Sequence, residues 1–455
     1  MSSLLINNAS IIATMDGNSP FYSGQELENK SILLKNGLIQ DIGIIDPKIE
    51  VDEIIDGKNK IIMPGLINTH HHLFQTLTKS VKSSQNSSLF DWLKKLYPIW
   101  ANINPKQLKS AVKIGLSELI LSGCTSSSDH LYIFPNGIKL EDEIEVAHEI
   151  GIRFFPTRGS MSVGESKGGL PPDYLVEDEN YILKDSLRVI QNWSNQSKLS
   201  MINIALSPCS PFSVSEELMK DTALLAREYN VGLHTHLAEN DNDVEYSFNK
   251  FGLSPGEYIK KLGWVGEDVW HAHCVKINNN EIEMFRETKT NICHCPSSNM
   301  RLSSGILPLN SLLKNRVNVS LGVDGSASND SGNLLNEAKQ SLLLQRVLNE
   351  PDIITARNVL WMLTAGGAKS LNRSNIGSIK IGNAADLAIY DINSLELSGS
   401  ISDPLGGLVF CSPMKSFITI CNGKVISKDG QIVNIDLLNS IENHNSLCKN
   451  LLSDF

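Results

Sequence analysis

No apolar run in this chain of 455 residues approaches the roughly 18 positions needed to span a bilayer. Residues Met1 to Asn8 lack the charged start and apolar core of a secretion signal. Membrane insertion and export are therefore not expected, and a cytoplasmic location is. No block rich in Lys and Arg occurs, and the net charge is -10. That balance argues against a nucleic-acid groove or a membrane surface and leaves a small molecule as the expected partner. Cysteine is sparse. Its eight residues are scattered through apolar or strand-like stretches without the dense spacing of a disulfide scaffold, so they are expected reduced. Cys293-x-Cys295 has no second pair to complete a thiolate zinc site. Internal repeats and low-complexity tracts are also missing.

What is present suits one barrel-sized domain and a smaller one. The first sixty residues hold short β-rich pieces, from Leu4 to Met15, Ser31 to Leu38 and Val51 to Asp56, separated by turn residues. Helical spacing then begins to alternate with short apolar strands that end in polar or ionisable residues. The helices run from Lys106 to Leu121, Glu216 to Glu228, Ile282 to Glu287 and Asn333 to Leu348. Eight such units over about 300 residues predict an α/β fold, a distorted (β/α)8 barrel at 63–375 with its active site at the strands' C-terminal ends. From Ile376 to Ile435 the pattern returns to short strands. Residues 1–62 and 376–455 are expected to combine into one small β-sandwich domain.

The chemistry gathers at strand ends. In the stretch Ile61 to Gln75, an apolar run broken by Pro64 and Gly65 ends in His70, His71 and His72. On a strand, His70 and His72 share a face and can bind one metal ion, while His71 faces away. Later strand ends bring His236, His273 and Asp324. A lone histidine is commonly a structural residue, but five such groups at strand ends point to a metal centre with an open position for water. His148, in a helical stretch, and His444, in a polar tail, lie outside this pattern.

The motifs Pro64-Gly65-Leu66-Ile67-Asn68-Thr69-His70-His71-His72, His236-Leu237-Ala238-Glu239, His271-Ala272-His273-Cys274 and Leu321-Gly322-Val323-Asp324-Gly325 carry a resemblance across nearly the whole chain. The sequence resembles the amidohydrolase superfamily, in its branch of nucleobase deaminases. The resemblance implies that His70, His72, His236 and Asp324 are metal ligands and that Glu239 is the proton shuttle. It also implies that His273 hydrogen-bonds the attacking hydroxide or the substrate oxygen; independently of the family, an aspartate beside a metal-bound water, here Asp324, can take up its proton. One divalent ion is implied, zinc with iron as the alternative, and a homo-oligomer, dimer or larger. The unrelated H-x-E and P-C-x-x-C deaminase signature is absent.

Other stretches are similar to the 8-oxoguanine deaminases in particular, among them Leu89-Phe90-Asp91-Trp92-Leu93, Arg158-Gly159-Ser160-Met161-Ser162 and Gly168-Gly169-Leu170-Pro171-Pro172. Cys209 stands where many relatives acting on adenosines carry histidine. An oxidised guanine presents amide-like edges and two flat faces. Gln75 and Arg158 are the candidates for the edges, Trp92 or Trp100 for a face, and Cys209 for a position near the ring. Each has a structural alternative: Arg158 holding a carboxylate such as Glu165, the tryptophans packing a helix on the rim, Cys209 filling space. The expected reaction is deamination of 8-oxoguanine to urate and ammonia. Isoxanthopterin or guanine-type deamination and hydroxy-triazine aminohydrolysis are the alternatives within the class.

Overall fold

The computed structural model describes residues 3–195, 197–453 and 455. Its centre is a sheet of eight strands, all parallel, ordered in space as in sequence. They are Leu66–Asn68, Cys124–Leu131, Arg153–Ser160, Ala205–Pro208, Gly232–Leu237, Val269–His273, Asn291–His294 and Val319–Leu321. The two edges approach where Thr69 N–H donates to the Leu321 carbonyl at 3.2 Å, bringing the sheet nearly to closure. The second and third strands are buried along their whole length, as expected for strands covered on both faces.

Helices fill the outside, and their ends are chemically marked. Pro105–Leu121 starts after Asn104, whose side chain accepts the Gln107 N–H in a reciprocal capping box, with Pro105 preset for the first turn. Glu216–Glu228 is capped by Ser215 and Leu334–Leu348 by Asn333. Cys293 and Cys295 pack with Ile67, Phe155 and Trp270, and all eight cysteines are free. No helix among the described residues is long and apolar enough to cross a membrane.

The β-rich chain ends form one mixed sheet of nine strands. Its joint is Lys60–Pro64, parallel to Ser3–Ala13 on one side and antiparallel to Leu387–Asp391 on the other. The apolar run of the histidine stretch is therefore two strands, not one. Lys60–Pro64 belongs to the mixed sheet and Leu66–Asn68 to the barrel, with the change made at Gly65. A Cβ there would lie 2.0 Å from Thr125 Oγ1, so only glycine fits. Sequence periodicity also left the tail beyond Ile435 unassigned. Leu437–Leu451 is a helix capped by Asp436 and packed on Pro105–Leu121.

One buried ion pair ties the barrel to the mixed sheet. Arg153, on the third barrel strand, donates through Nε to Asp386 Oδ2 at 2.9 Å and through Nη2 to Oδ1 at 3.2 Å. The Asp386 carbonyl accepts the Gly65 N–H at 2.9 Å, and its carboxylate accepts the Asn422 N–H at 2.7 Å. Both side chains are almost fully buried, so removing one strands the other's charge. Asp386→Ala is expected to cost about 3–5 kcal/mol of unfolding free energy in a urea titration. A loss below about 1 kcal/mol, typical of a surface pair, would show that this junction contributes little.

Candidate active site

The first barrel strand stops at Asn68, so His70 and His72 lie in the loop beyond it. Strand alternation does not align them; hydrogen bonds along the loop do. Thr69 Oγ1 donates to the Leu321 carbonyl at 3.1 Å. His71 Nδ1 accepts the His72 N–H at 2.8 Å, and the His71 carbonyl accepts the His130 N–H at 2.7 Å. Asp129 Oδ1 accepts the Leu73 N–H at 2.6 Å, fixing the start of the short helix Leu73–Thr78. His71 turns away from the other imidazoles toward Gly115 and is fully buried there.

Each remaining imidazole in the loop and on the fifth strand is locked in one tautomer. His234 Nδ1 donates to the Trp270 carbonyl at 2.7 Å, so its Nε2 accepts from His70 Nδ1 at 2.7 Å. His72 Nδ1 donates to the His130 carbonyl at 2.8 Å, and His236 Nδ1 donates to the Cys209 carbonyl. The Nε2 atoms of His70, His72 and His236 are consequently bare lone pairs. His72 Nε2 and His236 Nε2 stand 3.1 Å apart, and Asp324 Oδ1 lies 3.2 Å from His70 Nε2 and 3.4 Å from His72 Nε2. Burial lowers the pKa of all three imidazoles, His72 to about 4. Burial alone would raise the Asp324 carboxyl, but the His70 contact and the neighbouring imidazoles hold it well below the usual range. Neutral imidazoles and a carboxylate with converging lone pairs repel one another unless a cation sits among them, so this donor set fits a divalent ion.

His273 has the opposite tautomer. Asn299 Nδ2 donates to its Nδ1 at 3.0 Å, which leaves the proton on Nε2, 3.5 Å from Glu239 Oε2 and 3.9 Å from Asp324 Oδ2. It is placed to donate, although it falls within a cluster of His70, His236 and Asp324 that is tight enough to ligate. Ser304 Oγ reaches Glu239 Oε1 at 3.3 Å. Burial, then the charges of Asp324 and Asp243, push the Glu239 carboxyl well above its ordinary pKa. Ala238, His273 and Asp324 have left-handed backbone, with φ of 47°, 72° and 63°. Such strain in non-glycine residues costs of order 1–3 kcal/mol each and gathers at functional sites.

These groups open onto a cavity of about 210 Å³. Gln75, Trp92 and Cys209 line it, as do His72, His236, Glu239, His273 and Asp324. Gln75 Oε1 accepts the Ala327 N–H at 3.4 Å and Trp92 Nε1 donates to the Ala327 carbonyl at 3.2 Å. Burial pushes the Cys209 thiol up to about 12, so it stays protonated. Arg158 and Trp100 are not among the lining residues. Arg158 gives Nε to Asp185 at 3.0 Å and Nη1 and Nη2 to Glu177 at 2.8 and 2.9 Å, and it stacks on Phe134. Alternation along its strand sets this, since Phe155 and Thr157 take the barrel interior and Arg158 the helix side. Its partners are Glu177 and Asp185 rather than Glu165. Trp100 packs against Phe74 and Trp92 and donates to Thr78 Oγ1.

Sequence reasoning missed His130, His234, Tyr132 and Asp243. The spacing His234-x-His236 repeats that of His70-x-His72 and was a usable signal for His234. His130 Nε2 donates to the Ser207 carbonyl at 2.8 Å, and its ring stacks on His236 at 4.9 Å. Tyr132 and Asp243 carry no local signature.

Behind the site, Asp129 faces Glu143 in a fully buried space, and burial raises both carboxyls. A raised carboxyl binds a proton in the folded chain that the unfolded chain has released, so stability is greatest below the ordinary carboxylate range and falls as pH rises through it. The buried imidazoles, whose pKa values are lowered, contribute with the opposite sign, so the pair is isolated by difference: relative to Glu143→Gln, wild type is expected to lose unfolding free energy between about pH 5 and about pH 8 in denaturant titrations. A difference between the two that does not change with pH would remove the pair as a source of pH dependence.

Comparison with known proteins agrees with this geometry. A profile of the amidohydrolase family matches residues 61–427. The chain is 42% identical over 400 residues to the 8-oxoguanine deaminase of Pseudomonas aeruginosa, covering 88% of this chain and 89% of that one. It is 32% identical to the 5'-deoxyadenosine deaminase of Methanobrevibacter smithii, over 89% of this chain and 90% of that one. Among solved structures, the atrazine chlorohydrolase of Arthrobacter aurescens in complex with zinc superposes with a TM-score of 0.93 at 30% identity, covering 98% of this chain and 100% of that one. The chain belongs to the amidohydrolase family, among its aminohydrolases and deaminases.

Proposed function

We propose that this enzyme hydrolyses the exocyclic amine of 8-oxoguanine, releasing urate and ammonia. The observation that carries the reaction type is the convergence of the raised Glu239 carboxyl and the His273 Nε2–H beside the imidazole and carboxylate cluster. Support for the substrate comes from the 42% identity to a bacterial 8-oxoguanine deaminase and from the cavity wall. No Lys or Arg lines it among the described residues, which suits an uncharged heterocycle better than a phosphorylated one.

His70, His72, His236 and Asp324 would hold one divalent ion, zinc or iron. Such an ion would supply hydroxide at neutral pH. Glu239 gives a proton to the ring nitrogen beside the amine-bearing carbon, then takes up the proton that the attacking oxygen gives up as the new carbonyl forms and passes it to the departing amine. Ammonia can then leave in place of an amide anion. His273 Nε2–H stabilises negative charge developing on the oxygen. Gln75, held by the Ala327 N–H and beside the Tyr132 hydroxyl, reads an amide edge of the base. Trp92, Leu93 and Leu170 supply apolar surface for its faces.

Glu239→Gln is expected to lower kcat by about 10² to 10⁴ while metal content stays at wild-type level. Loss of the metal in that variant would overturn the shuttle assignment. Steady-state comparison of 8-oxoguanine, isoxanthopterin, guanine and a hydroxy-triazine should place 8-oxoguanine first in kcat/KM. Preference for another substrate by more than about tenfold, which corresponds to about 1.4 kcal/mol of transition-state binding, would overturn the substrate and leave the reaction class standing.

A further inference from the structure

The C-terminal helix Leu437–Leu451 is exposed along most of its length, and of its side chains only His444 and Leu451 are buried. Burial ordinarily favours an apolar side chain, because an imidazole has two polar nitrogens that must each find a partner. Both nitrogens of His444 have one. Nδ1 lies 3.1 Å from Ser110 Oγ and Nε2 lies 3.2 Å from the Thr76 carbonyl. A carbonyl can only accept, so Nε2 carries the proton and Nδ1 accepts the Ser110 hydroxyl. Burial lowers the His444 pKa, and Lys79, the charged group near it, acts in the same direction, so the ring stays neutral and keeps this tautomer.

Thr76 belongs to the short helix Leu73–Thr78, in which Gln75 alone lines the cavity. The segment is seated closely on Pro105–Leu121, since a Cβ on Gly115 would lie 2.5 Å from Leu73 Cδ2 and 3.2 Å from Thr76 Cγ2. Thr76 Oγ1 donates to the Ala111 carbonyl at 3.1 Å, so the residue after Gln75 is held by its side chain from one helix and by its carbonyl from another. Gln75 Oε1 meets the Ala327 N–H at 3.4 Å, a long hydrogen bond that a small shift of the main chain breaks. We propose that His444 is a positioning residue for substrate recognition: by holding the Thr76 carbonyl it keeps Gln75 in the cavity wall, and the C-terminal helix is thereby part of the binding apparatus. The inference rests on the reading of Gln75 as the residue that meets an amide edge of the base. The other end of the loop is fixed separately, His72 by the His130 carbonyl and Leu73 by Asp129, so His444 acts on binding and not on the metal ligands.

The test is a double-mutant cycle of His444→Ala and Gln75→Ala, read by metal content and by steady-state kinetics on whichever of the four heterocycles named above is turned over best. Gln75→Ala should raise KM by about fivefold or more, the loss of one hydrogen bond to the base. His444→Ala should raise KM to a similar extent, with kcat within about twofold of wild type and metal content unchanged. In the Gln75→Ala background the same substitution should change KM by less than about twofold, because the contact it supports is already gone. His444→Gln keeps an N–H for the Thr76 carbonyl and should restore KM to within about twofold of wild type. Should His444→Ala not fold, Ser110→Ala takes its place in the cycle, since it leaves the imidazole but removes the hydroxyl that sets its tautomer. An unchanged KM in the single variant, or equal increases in both backgrounds, would overturn the inference, as would a fall in metal content. A Gln75→Ala enzyme with wild-type KM would instead overturn the reading of Gln75, and the inference with it.

Discussion

The arrangement on which the rest of this site depends is the pinning of each imidazole by its far nitrogen. Carbonyls of Trp270, His130 and Cys209 accept Nδ1–H groups, directly for His72 and His236 and through His234 for His70. A neutral imidazole has one proton to place, so spending it behind the ring leaves a lone pair in front. Three such lone pairs and a carboxylate, converging at the floor of a cavity, are a poor arrangement for an isolated protein and a good one for a protein binding a cation. His273 shows that the tautomer is chosen residue by residue. Its far nitrogen accepts from Asn299 instead, and the same ring type becomes a donor.

The strand ends were legible because a parallel barrel turns order along the chain into position around a ring. Every strand delivers its C-terminal residue to one face, so a census of polar strand ends recovers the members of the site without knowledge of distances. Two kinds of information were not available that way. One is which side of the strand a residue takes. Arg158 looked like a reader of the substrate, yet its parity relative to Phe155 and Thr157 sends it to the helices, where two carboxylates hold it. The other is contact between segments far apart in sequence. His444 seemed to belong to a polar tail, but its ring is buried between Ser110 and the Thr76 carbonyl, which no local pattern announces. Strand alternation does not account for the convergence of His70 and His72, since the strand has ended before them. They converge because the loop is tied down atom by atom.

Backbone strain falls where the chain must turn a side chain inward just after a strand. Ala238, His273 and Asp324 all take the left-handed region, each at or beside a residue facing the cavity. The surrounding ladders over-determine these conformations. On the fifth and sixth strands, Leu237 and His273 are still in register when the turn begins. A rigid barrel can bear such distortion at its rim because the strands below are buried and fully paired.

The splitting of the histidine stretch between two sheets bears on the order in which the protein matures during synthesis. Lys60–Pro64 needs Leu387–Asp391 as its neighbour, Gly65 needs the carbonyl of Asp386, and Thr76 is held by a histidine 368 positions later. The first of these histidines to leave the ribosome are thus anchored by some of the last segments to be made. The nascent chain has to carry His70 and His72 unsupported through the translation of more than 300 further residues. The loop that carries the histidines therefore reaches this geometry only once the mixed sheet is complete, and any ion that it would hold is captured after that point.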